Sequence, residues 1–109
     1  MKIKKFLLVF IFSFSFNSQT SFADEVKMIK GLEIFNEVAG CAACHVLKAA
    51  GSKGNIGPNL DTVEGLNYDS VMDIVTHGLG VMPAFGEDEI LTKEEIDIVS
   101  FYVANSVSK

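Results

Sequence analysis

The stretch that most narrows what this chain can fold into is Cys41-Ala42-Ala43-Cys44-His45. Residues three and four apart share one face of a helix, so Cys41, Cys44 and His45 point the same way at the end of one helical segment. Two thiols so placed can form thioethers to two vinyl groups, and the adjoining imidazole can ligate an iron. This C-x-x-C-H spacing is that of c-type haem attachment. The same residues would also suit a redox dithiol, half of a zinc site or a structural disulfide. A zinc site needs further ligands, and the chain holds only one other His, His77. A thioredoxin-like dithiol belongs in a βαβ pattern, and none surrounds this one. Covalent haem c is the reading the residues favour.

The N-terminal segment sets the compartment. Lys2, Lys4 and Lys5 precede an apolar run from Phe6 to Phe16, broken only by Ser13 and Ser15, and Ser21-Phe22-Ala23 puts small residues where a signal peptidase reads them. Residues 1–23 read as a signal peptide, with residues 24–109 as one domain. The apolar run falls short of the ~20 residues a membrane span needs, so no transmembrane anchor is expected after cleavage. Export to the periplasm or an equivalent compartment suits a haem attached outside the cytoplasm. The formal charge of −5 becomes −8 once the three leader lysines are removed. Such a surface argues against nucleic acid or anionic membrane as a partner. It favours a basic docking face or an apolar contact. A domain this small has little core of its own, and a largely apolar haem would supply much of it.

Periodicity places three helices. Met28, Leu32, Phe35 and Ala39 recur at helical spacing over residues 28–40. Gly31 interrupts that helix at a cost of about 1 kcal/mol, the mark of another backbone or ring coming close. Residues 46–66, rich in Gly, Ser and Asn, read as loop without strand or helix. Asn67 caps a second helix to His77, with Val71, Ile74 and Val75 inward, and Gly78 ends it. Met72 reads as core packing. Glu87-Asp88-Glu89 reads as a solvated acidic turn. Thr92-Lys93-Glu94-Glu95 is a capping box that opens a third helix to about Val107, with Ile96, Val99, Val103 and Val107 in one stripe widened by Phe101 and Tyr102.

Two further residues belong with the motif. Pro58 lacks an N–H, but its carbonyl can accept one, and a metal-bound His usually donates its second N–H to such a group. A plain turn proline is the alternative. Met82 precedes Pro83, which holds it on extended chain, and its thioether can serve as the second axial ligand. Packing into a core is the commoner role of Met, and His77 is the rival ligand.

Taken together, these pieces resemble a class I cytochrome c, similar to small bacterial and cytochrome c6-like electron carriers. Cys41 to His45 corresponds to the haem-attachment motif and Gly57-Pro58-Asn59-Leu60 to the loop whose Pro carbonyl holds the proximal His. The segment from Gly78 to Phe85 resembles the distal one, with Met82 on the axial Met. Gly31 and Phe35 resemble the positions where the first helix crosses the last, at Tyr102. The resemblance implies an all-α fold, three main helices and loops wrapped around one covalent haem. It implies a monomeric one-electron carrier between redox proteins and no enzyme activity of its own. The chain has no Trp and no Arg, so haem propionates must find other contacts, for which Lys53, Asn55, Asn59 and Tyr68 are candidates. A subunit docked on a larger oxidoreductase is the alternative, as is a sensor or peroxidase-like protein if Met82 is not a ligand.

Overall fold

The computed structural model describes residues 19–108, so most of the leader lies outside the described residues. Three helices carry the chain: α1 (Gln19–Glu33), α2 (Tyr68–His77) and α3 (Lys93–Ser106). Helix α1 runs through Ala23, the expected cleavage position. Among the described residues no helix is long and apolar enough to cross a membrane.

Helices α1 and α3 cross where the sequence put its interior glycine. A Cβ at Gly31 would run into Tyr102 Cβ and stand 2.9 Å from its Cγ and 3.1 Å from the Ile98 carbonyl oxygen. Only a residue without a side chain lets the two helices meet there. Below the crossing, the Phe35 and Tyr102 rings lie 6.0 Å apart at 57°, within the tilted geometry aromatic pairs prefer.

The first helix departs from the expected stripe. After Glu33 it widens into a π-helical turn, Ile34–Val38, closed by Ala39 N–H donating to the Ile34 carbonyl. One extra residue in the turn rotates the register, so the neighbours Ile34 and Phe35 are both buried while Leu32 faces outward. Gly40, in the left-handed region at φ 70°, then turns the chain into a short 3-10 turn, Cys41–Ala43.

Helix α2 starts on Asn67 as expected. Its side chain accepts from Ser70 N–H, and Ser70 returns a bond to the Asn67 N–H. Val71 and Val75 are buried against α3, and Ile74 only partly so. Helix α3 has the expected Thr92–Glu95 capping box. It buries Ile96, Val99, Tyr102 and Val103, while Val107 lies just beyond its end.

Residues 46–66 are not the plain loop expected. Val46–Leu47 (β1) pairs antiparallel with Ser52–Lys53 (β2), and 3-10 turns form at Lys48–Ala50 and Leu60–Thr62. The fold is thus mostly helical with a small two-stranded sheet. The buried Ser52 hydroxyl accepts from Leu47 N–H at 2.8 Å and closes the hairpin from inside.

A polar joint ties the three helices on the outside. Lys27 of α1 pairs with Asp97 of α3 at 2.9 Å and lies over the Phe101 ring at 4.8 Å. Tyr68 of α2 donates its hydroxyl to the same Asp97. That bond pushes the Tyr68 hydroxyl up to about 12, and Tyr68 and Lys27 together hold Asp97 below the usual carboxylate range. Tyr68 is therefore committed to the helix joint, not free for a propionate.

Gly31→Val is expected to destabilise the protein by about 1–3 kcal/mol, the usual cost of overpacking, or more where a helix crossing must open. Urea denaturation measures it; an unchanged midpoint would mean the two helices do not meet at Gly31.

Candidate haem site

The 3-10 turn holds the motif together. Cys44 and His45 both donate their N–H groups to the Cys41 carbonyl, at 3.1 and 2.9 Å, which winds all three side chains around one turn. No disulfide joins Cys41 and Cys44. Burial pushes the Cys41 thiol up to about 11. Among the described residues no group of three or more His, Cys, Asp or Glu is arranged to hold a metal ion.

His45 is fixed from the side away from the cysteines. Its Nδ1 lies 2.7 Å from the Pro58 carbonyl oxygen. A carbonyl can only accept, so Nδ1 carries a proton, which in an uncharged ring leaves the lone pair on Nε2. Two features aim that carbonyl. Gly57 N–H donates to the Cys44 carbonyl at 2.7 Å, and a Cβ on Gly57 would meet His45 Cε1 at 2.5 Å and Nδ1 at 2.9 Å. Only glycine allows the Pro58 loop to lie against the imidazole. The expected acceptor role of Pro58 matches this geometry.

Met82 sits at the end of a tight turn. Leu79 and Met82 exchange backbone bonds, Met82 N–H to the Leu79 carbonyl at 3.0 Å and the reverse at 3.3 Å. Gly78, at φ 75°, lies so close beneath that a Cβ would stand 2.8 Å from the Met82 carbonyl oxygen and 2.9 Å from Ala84 N. The loop is closed at its neck, where Phe85 N–H donates to Val75 and Gly86 and Glu87 N–H both donate to Thr76. Buried Phe85 plugs it. Met82 packs partly buried against the core, while Leu79 and Val81 on the same turn and Ile56 beside Gly57 are exposed, Val81 at 89%.

His77 is occupied elsewhere. Its Nδ1 meets the Glu87 carboxylate and its Nε2 stands 3.7 Å from Asp73. The acidic turn is therefore not merely solvated: one of its carboxylates spans the neck of the Met82 loop. The bond to Glu87 raises the His77 value above its ordinary 6.5. Of the other propionate candidates, Asn59 uses its side-chain oxygen to accept from Asp61 N–H, and Lys53 and Asn55 are exposed. Sequence reasoning placed Gly57 in the Pro58 loop without its packing against the imidazole, read Glu87 as solvated, and gave Asp61 no role.

The donor set fits a haem c. Two thiols and an imidazole share one turn, the imidazole keeps its lone pair on Nε2, and a thioether lies in a separate loop flanked by exposed apolar side chains. Fold and site define a class I cytochrome c. The model for cytochrome c oxidase, cbb3-type, subunit III matches residues 27–103. The chain is 32% identical to a cytochrome c6 of Gloeothece citriformis (strain PCC 7424) over 94% of its length and 90% of that protein's. It is also similar to the crystal structure of the c-type cytochrome SorU from Sinorhizobium meliloti, with TM-score 0.70 and 44% identity over 78% of this chain and 95% of that one. The chain belongs to the cytochrome c family, as a small class I member.

The His77–Glu87 pair gives a pH test. A raised His value means its stabilisation is full below the ordinary value and fades as pH rises through the raised one. His77→Gln should therefore be less stable than the wild type below pH ~6, with the difference closing by pH ~9 as His77 loses its proton. Urea denaturation at both pH values checks this; a difference that grows with pH would contradict it.

Proposed function

We propose that the chain is an exported one-electron carrier. It holds one haem covalently through Cys41 and Cys44, with His45 and Met82 as axial ligands. The observation that carries this reading is the His45 Nδ1 bond to the Pro58 carbonyl, which leaves Nε2 as the free donor next to two thiols. Membership of the cytochrome c family supports it independently.

The bound haem would supply reversible one-electron chemistry at its iron. The protein's residues do the rest. Cys41 and Cys44 would hold the haem on the 3-10 turn. Pro58 orients the imidazole and increases its electron donation. Met82 offers a neutral thioether, a ligand that raises the reduction potential relative to nitrogen. If His45 and Met82 both held the iron, no position would remain on it for a substrate, in keeping with a carrier and not an enzyme. Exposed Leu79, Val81 and Ile56 offer an apolar contact beside the site, suited to brief docking of monomeric carrier and redox partner. Residues 1–23 act as the signal peptide, which places the carrier in the periplasm or an equivalent compartment.

The family model is described by an oxidase subunit, which favours a second reading: a haem c module held permanently on a larger oxidoreductase. Purification from its own cells separates the two, since a module travels with its complex and a carrier does not.

Replacing Cys41 and Cys44 together by Ser should leave a haem that acidic organic solvent extracts. Met82→Ala should abolish the ferric sulfur-to-iron charge-transfer band, lower the potential and let the reduced protein bind carbon monoxide, while His77→Ala should do none of these. Carbon monoxide binding by the wild type would favour a sensor or peroxidase-like protein instead.

A further inference from the structure

Two chain segments run side by side behind His45, and three bonds join them in one register. Gly57 N–H donates to the Cys44 carbonyl at 2.7 Å. His45 Nδ1–H donates to the Pro58 carbonyl at 2.7 Å, and Lys48 N–H donates to Asp61 Oδ2 at 2.8 Å, each across 13 residues. The third bond is the only one of the three made by an ionised side chain, and charge-assisted bonds of this kind are the stronger class. Asp61 is itself held, since its N–H donates to the Asn59 side chain at 3.0 Å. Its second oxygen accepts from Ser108 N–H at 3.0 Å, so it also ties down the chain beyond α3. The two backbone bonds pull the Asp61 carboxyl below the usual carboxylate range, in keeping with an ionised acceptor.

We propose that Asp61 is a positioning residue for the redox site: by pinning Lys48 N–H it holds the Pro58 carbonyl against His45 Nδ1 and so sets how strongly the imidazole donates to the iron. This rests on the reading of His45 as the proximal ligand. Pro58 has no N–H with which to anchor itself, and Gly57 on one side and Asp61 on the other supply the anchors. A firm bond at Nδ1 makes the imidazole a more electron-rich ligand, which favours the oxidised state. Loosening it raises the reduction potential.

The test uses the holoprotein and pairs of variants with equal charge. Lys48→Pro deletes the N–H donor. Leu47 before it is extended at φ −143°, ψ 110°, and Lys48 opens a 3-10 turn, so proline fits both positions. Lys48→Ala removes the same charge and keeps the donor. Asp61→Ala and Asp61→Asn form a second neutral pair, in which only Asn keeps an acceptor. Ser108→Pro removes the tail bond alone, behind Val107 at φ −62°, ψ 138°. The expected result is a higher potential for Lys48→Pro than for Lys48→Ala, and for Asp61→Ala than for Asp61→Asn. The His45 ring resonances should shift in the same two variants, and Ser108→Pro should keep the wild-type potential. If Lys48→Pro fails to fold, the Asp61 pair decides alone. Equal potentials within the pairs would overturn the proposal and leave Asp61 a tail anchor. A wild type without covalent haem would instead overturn the electron-carrier reading, and this assignment with it.

Discussion

The bond between His45 Nδ1 and the Pro58 carbonyl is the contact on which the rest of the site depends. An imidazole can offer its lone pair from either nitrogen, and this bond decides which. It does so with a group that cannot compete as a donor, because a proline carbonyl only accepts. The surrounding sequence exists to deliver that carbonyl. Gly57 leaves room for the ring, its N–H fastens the loop to Cys44, and the 3-10 turn that follows is capped by Asn59.

A site built on loops needs a frame that does not move. Here the frame is the contact of α1 and α3 at Gly31 and Tyr102, with α2 joined to both through Tyr68, Asp97 and Lys27. The first helix delivers Cys41 through its π-helical turn and Gly40. The second delivers Met82 through a loop whose neck is closed on Val75 and Thr76. The His45 turn and the Met82 loop thus hang from different helices that share one core, to which Phe35 and Phe85 both belong.

Much of this was legible in the sequence, for a physical reason. Cys41, Cys44 and His45 carry their meaning in a fixed short spacing. Asn67 and Thr92 read as caps because capping is local chemistry, and Gly31 stood out because an apolar helix face rarely spends a position on glycine. What stayed hidden was either aperiodic or distant. The π-helical turn breaks the 3.6-residue period, so Ile34 was missed and Leu32 wrongly turned inward. Strands of two residues have no alternation to detect, so β1 and β2 read as loop. Glu87 read as solvated and Tyr68 as cofactor-facing, and Asp61 and Asp97 drew no reading, because each has a partner at least 10 residues away.

The central claim is that His45 keeps its proton on Nδ1 and presents Nε2 to the iron. Proton–nitrogen NMR of the reduced holoprotein, labelled at histidine, tests it directly. The account predicts one His45 N–H signal, at Nδ1, protected from solvent exchange by the Pro58 carbonyl, and no proton on Nε2. A His45 proton found on Nε2, or an Nδ1 proton exchanging as freely as in an exposed histidine, would contradict it.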